Sequence, residues 1–202
     1  MIFRIKLHWW SSLAAAALML AAAWAMCPEQ TWQELPQRLA GRFNSIPAAV
    51  GAGALAALGC MVANFLVHQV LHFSLGASYD KAFQTFALDV IRNMRAIEAV
   101  AGGVMAGVGE EPLFRGVVLG WFPSPVVGVA VAAVLFGLAH YLDRRYFWFF
   151  VWGIGEGIVF GTLFVTTGSI LVPVVAHGLF DTVGFAYFIR LRRLANRGGM
   201  IL

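Results

Sequence analysis

The chain is 202 residues long, 60% hydrophobic and only 12% charged, with a formal net charge of +4. Its mean hydropathy of +0.79 excludes an ordinary soluble domain and points to an integral membrane protein. Cys27 and Cys60 are its only cysteines and form no CxxC spacing, which excludes a disulfide framework.

Apolar runs near the ~20 residues that cross a hydrocarbon core occur at about 9–27, 46–73, 98–121, 124–141, 146–167 and 169–189. They predict an all-α fold, a polytopic membrane bundle of about six transmembrane helices forming one domain over 1–202. The first run follows Arg4 and Lys6 as a signal peptide would. Its apolar stretch is long, however, and Trp24-Ala25-Met26-Cys27 lacks small residues at the usual cleavage positions, so it reads as a retained helix. The polar loop 28–45 holds Trp32, an aromatic suited to the headgroup level. In 76–97, Phe83, Phe86, Val90, Ile91, Met94 and Ile97 recur at helical spacing, while Lys81, Asp89, Arg92, Asn93 and Arg95 fall mostly elsewhere on the wheel. This segment reads as an amphipathic interfacial helix on the cytoplasmic surface, and as a topological elbow in preference to the alternative of a substrate gate.

Charge sets the orientation. With the N-terminus inside, the inner segments hold Arg4, Lys6, Lys81, Arg92, Arg95, Arg144, Arg145, Arg190, Arg192, Arg193 and Arg197. Only Arg38 and Arg42 lie outside, and Arg115 lies within a span. The positive-inside rule then places both termini in the cytoplasm. Topology accounts for the basicity, so no nucleic-acid partner is invoked; the four-arginine tail can also attract anionic headgroups.

Three glycine ladders, Gly103/Gly107, Gly116/Gly120 and Gly153/Gly157/Gly161, predict close helix packing. The first two flank an unusual segment, Glu110-Glu111-Pro112-Leu113-Phe114-Arg115-Gly116, with three ionisable residues inside an apolar run. Each such charge costs roughly 2.5–3.5 kcal/mol at a helix centre, against about 0.3–0.6 returned by a Leu, Ile, Val or Phe. Glu111 and Arg115, four apart, share a helical face and can pair. Glu110 is turned about 100° away, which leaves it free of the arginine and the better candidate for a general base. Pro112 cannot donate to Val108 and disfavours helical geometry at Glu111, so a kinked or restarted helix is expected. Such a break is tolerated only where protein or a water-filled cavity surrounds it.

The fourth run supplies Phe136 and His140, and the sixth His177 and Asp181, both pairs again four apart. Two glutamates, two histidines and an aspartate from three helices can hold and activate water. The series Glu110-Glu111-x-x-x-Arg115, Phe136-x-x-x-His140 and His177-x-x-x-Asp181 resembles the three ordered motifs of the CPBP family of intramembrane peptidases. That family includes type II CAAX prenyl endopeptidases and bacteriocin-processing or self-immunity proteins, and the likeness spans about 96–190. It implies hydrolysis of a peptide bond by water that Glu110 and His140 activate, with His177 and Asp181 stabilising the oxyanion and Glu111, Arg115 and Phe136 structuring the site. The prenyl-endopeptidase pattern ends in Asn, whereas Asp181 donates a hydrogen bond only if protonated; alternatively Asp181 orients His177.

The expected enzyme is therefore a glutamic-type endopeptidase without a cofactor, acting on a peptide or protein tail at the membrane. Zinc held by His140, His177 and a carboxylate is the minority alternative. His68 and His72 have metal-compatible spacing with nothing to complete a site. Glu156, between Gly155 and Gly157, is expected to line a cavity or pair with Arg115. Two other functions remain, a non-catalytic immunity or scaffold protein on the same fold and, further off, a proton-coupled transporter. The short, strongly positive-inside chain suggests a bacterial inner (cytoplasmic) membrane.

Overall fold

A computed structural model describes residues 9–26, 35–77, 79, 93–141 and 144–197, and contains no strand among them. Its α-helices are α1 (Trp9–Met26), α2 (Leu35–Ala40), α3 (Ile46–Leu75), α4 (Ala96–Val104), α5 (Pro125–Ala139), α6 (Phe147–Thr167) and α7 (Leu171–Arg197). Beyond α4 the same rod continues through Met105–Glu110 and Pro112–Val118 in π-helical geometry and ends in a 3₁₀ turn, Leu119–Trp121. Each expected apolar run is thus helical, and the protein is an all-α, multi-pass membrane protein. By length and composition four segments can cross a membrane: Trp9–Met26, Ile46–Leu75, Arg144–Thr167 and Leu171–Leu194. Most of the expected amphipathic helix, with Trp32, Cys27, Arg4 and Lys6, lies outside the described residues.

Local chemistry sets the helix ends. Ser45 accepts from the Ala48 amide at 3.3 Å to cap α3, and Gly76, at φ 53°, closes it by donating to the His72 carbonyl at 2.9 Å. Ser124 caps α5 ahead of Pro125, whose missing N–H costs nothing in a first turn. Glu98 caps α4 by accepting from the Arg95 amide at 2.8 Å, and its carboxylate also accepts from the Arg95 guanidinium.

The outer surface is apolar, with Leu55, Phe65, Phe73 and Val126 exposed, while Arg115 heads the fully buried side chains by size. That inversion of a soluble protein's pattern suits lipid, which leaves van der Waals contact and polar pairing to hold the helices together. Two glycine seams permit this contact. Where α4 and its π-helical continuation cross α7, a Cβ at Gly103 would stand 2.5 Å from the Gly178 carbonyl, and one at Gly107 2.3 Å from that of Val174. Where α5 meets α6, a Cβ at Gly157 would stand 2.6 Å from Ala133 Cα. Gly116 and Gly120 do not form the expected third ladder, since among the described residues nothing lies within 4 Å of either added Cβ. Gly116 lies in the π-helical stretch and Gly120 in the closing 3₁₀ turn, so the pair does not share one regular helical face.

The connections sort to two ends. The Arg42 amide donates to the Thr167 carbonyl at 2.9 Å, that of Ile170 to Arg38 at 2.8 Å, and Ser169 Oγ to Leu39 at 2.5 Å. These bonds tie the segment before α3 to the α6–α7 link. At the other end Arg192 Nη2 donates to the Met94 carbonyl at 3.0 Å, and the Tyr79 and Trp148 rings meet edge to face.

Candidate active site

The helix does not break at Pro112. Glu111 has φ −63° and ψ −45°, and the rod passes through with i→i+5 turns on both sides, so the restart expected from the proline does not occur. A wider turn gives the proline ring room and tolerates its absent donor. It also turns successive residues by less than the 100° of an α-helix. Both Glu110 and Glu111 consequently face the interior, at 5% and 0% exposure.

Glu111 is the hub. Its Oε1 lies 2.9 Å from Arg115 Nη1 and accepts a hydrogen bond from His177 Nδ1 at 2.7 Å, joining the interrupted helix to α7. The spacing predicted the arginine, whereas the histidine, 66 residues away, comes from the crossing at Gly107 and Gly178. Arg115 Nη2 also reaches the Gly157 carbonyl at 3.4 Å, and its Nε has no hydrogen-bond partner. Aromatic faces compensate, the guanidinium carbon standing 4.6 Å from the Phe136 ring centre, 5.7 Å from Phe160 and 5.9 Å from Phe114. A desolvated cation over an aromatic face gains about 2 kcal/mol.

Glu110 differs from its neighbour. Both glutamates have a buried Oε2 without a hydrogen-bond partner, but Glu111 is engaged through its Oε1, whereas no ion pair among the described residues engages Glu110; a buried carboxyl left in this way asks for a functional explanation. The carboxylate sits within electrostatic reach of His177, Asp181, Glu111 and Arg115.

His140 ends α5 as its C-cap and donates Nδ1–H to the Phe136 carbonyl at 2.8 Å. A carbonyl only accepts, so Nδ1 holds the proton, and a neutral His140 keeps its Nε2 lone pair available. Phe136, fully buried, is the spacer between helices: its ring lies 4.7 Å from His140, 5.7 Å from His177 and 5.2 Å from Phe114. His177 Nε2 faces Asp181 Oδ2 at 3.8 Å.

Glu110, Glu111, Arg115, Phe136, His140, His177 and Asp181 thus belong to one neighbourhood built by α4 with its continuation, α5 and α7. Glu156 is beside it but does not take Arg115, which is engaged by Glu111 and Gly157; Glu156 Oε1 instead accepts from Trp152 Nε1 at 2.9 Å. Phe160, which the sequence left unremarked, stacks on His177 at 4.5 Å; its place four residues after Glu156 was the available hint. His68 Nδ1 bonds the Tyr79 hydroxyl at 2.9 Å. Among the described residues no group of three or more His, Cys, Asp or Glu is arranged to hold a metal ion.

Residues 92–183 match the family described as type II CAAX prenyl endopeptidase Rce1-like. Over that segment the chain is similar to this family of membrane peptidases. The matched segment contains all seven residues of the cluster, and it supports a membrane-associated protein as the class of substrate. No curated protein and no solved structure matches the chain.

Proposed function

We propose that the protein is an intramembrane endopeptidase of the glutamic type, hydrolysing a peptide bond in a membrane-associated peptide or protein tail. The observation that carries this reading is the unequal treatment of two adjacent carboxylates. Glu111 is held through Oε1 by Arg115 and His177, whereas Glu110, equally buried, has no ion-pair partner among the described residues.

In the proposed reaction Glu110 accepts one proton from a water that attacks the scissile carbonyl, while His140 Nε2 accepts a hydrogen bond from the same water and orients it. The resulting oxyanion needs donors. His177 has committed Nδ1–H to Glu111 and can donate from Nε2 only as imidazolium, while Asp181 can donate only when protonated. The proton taken from water passes to the leaving amine as the tetrahedral intermediate collapses. Phe136, Phe160 and Phe114 exclude bulk water from Arg115 and fix the rings that position both histidines.

We place the protein in a bacterial inner membrane with both termini cytoplasmic and the site opening inward. The arginine distribution and the sorting of connections to two ends support this orientation. A reporter fused at Arg144–Arg145 should report the cytoplasmic side; an outside signal there reverses it. For the chemistry, Glu110→Gln keeps the side-chain shape but removes proton acceptance. It should lower cleavage by roughly 10²- to 10⁴-fold with the fold intact, and a wild-type rate would discard Glu110 as the base.

A further inference from the structure

Helices α6 and α7 are joined by the short link 168–170 and run antiparallel. The stacking of Phe160 on His177, with centroids 4.5 Å and planes 22° apart, fixes their register. One turn further from the link, on each helix, stands a carboxyl group: Glu156 four residues before Phe160, and Asp181 four residues after His177. The register therefore sets Glu156 against Asp181, and the two interact electrostatically. Neither is neutralised by Arg115, which is committed elsewhere. Glu156 Oε1 is held by Trp152 Nε1–H, while Asp181, with a side chain 25% exposed, lies at the open edge of the cluster.

Two carboxyl groups sharing a site do not both ionise readily; one retains a proton. Asp181 needs a proton if it is to meet an oxyanion, and a neighbouring acid of the same kind is what supplies that condition. We propose that Glu156 is a positioning residue for Asp181, the two carboxyl groups holding one proton between them so that Asp181 can present it to the oxyanion. The inference rests on the peptidase reading and adds a residue to it. As negative charge develops on the substrate oxygen, Asp181 donates the hydrogen bond, and Glu156 keeps the carboxylate charge against Trp152 Nε1–H. No further proton is consumed. The other titratable or charged groups facing the pair are His177 on α7, Glu110, Glu111 and Arg115 from the interrupted helix, His140 from α5 and Cys60 from α3.

The test is a double-mutant cycle of Glu156→Gln and Asp181→Asn on the full chain in bilayers, read in two ways. In the pH profile of kcat/KM, Glu156→Gln removes the like charge that keeps the proton on Asp181. Its alkaline limb should therefore fall at a pH lower by roughly one to three units, with the plateau retained. In the Asp181→Asn background, where the amide donates at every pH, Glu156→Gln should produce no shift. An unchanged limb in the single variant, or an equal shift in both backgrounds, overturns the proposal.

Infrared difference spectroscopy reads the proton without turnover. Wild type at neutral pH should show a protonated-carboxyl band that is missing or displaced in Asp181→Asn and that titrates at lower pH in Glu156→Gln. If no variant or wild type cleaves peptides, the peptidase reading fails, while the infrared comparison still decides whether the pair shares a proton. Identical carboxyl bands in wild type and Asp181→Asn would overturn the sharing, even should Glu156→Gln fail to fold.

Discussion

The protein contains two glycine-lined helix crossings of similar closeness and very different content. At Gly103, Gly107 and Gly178 the α4 rod and α7 bring together Glu110, Glu111, Arg115 and His177. At Gly137, Gly153 and Gly157 the α5–α6 seam meets Ala133, Ile154 and the Phe150 backbone. Both solve the same problem, since helices in lipid need small residues to gain contact. Only the first is π-helical and charged, and there the backbone period itself is altered so that two successive glutamates point inward. Close packing alone therefore says little about function in this fold; irregular geometry carrying charges that pair across helices says much more.

Substitutions can break this contrast. The largest effect is expected from Arg115→Ala, which leaves Glu111 buried without its cation and should cost about 3–5 kcal/mol of stability. Thermal unfolding in detergent measures it, and an unchanged melting temperature would mean that the ion cluster does not brace the charged crossing. Gly107→Val and Gly161→Val drive a side chain into the Val174 carbonyl and against Val129 respectively, with an expected loss of about 1–3 kcal/mol each from overpacking. The first should also lower kcat at permissive temperature by moving His177 relative to Glu111, whereas Gly161→Val should act mainly through stability. Equal kinetic damage from both would erase the distinction between site and scaffold.

Gly116→Ala, in the ladder that does not pack, should be tolerated or stabilise by up to about 1 kcal/mol through lower backbone entropy in the unfolded chain. Smallest of all are the effects expected on the proposed metal-free chemistry. Asp181→Asn should remain active, and exhaustive chelation should leave cleavage unchanged; inactivation restored by one zinc per chain would replace the glutamic mechanism.

Much of the protein was legible in the sequence because its determinants are local or nearly so. Apolar run length fixed the helices, and four-residue spacing the Glu111–Arg115 pair. The order of the three polar motifs also carried the likeness to membrane peptidases. Gly103/Gly107 and Gly153/Gly157 correctly marked close approach, but Gly116/Gly120 did not, since spacing marks a shared face and leaves open whether a neighbouring helix lies against it. The restart expected at the proline does not occur, because the chain accommodates the ring in a turn wider than the α-helical one in which its cost was assessed. What only tertiary structure decided is how the polar residues share their partners. Glu111 serves both Arg115 and His177, Arg115 turns to Gly157 and three phenylalanines in preference to Glu156, and Phe160 sets the register of α6 against α7. These contacts join residues tens of positions apart, and their identity depends on helix rotation and crossing, quantities that a single sequence's spacing leaves open.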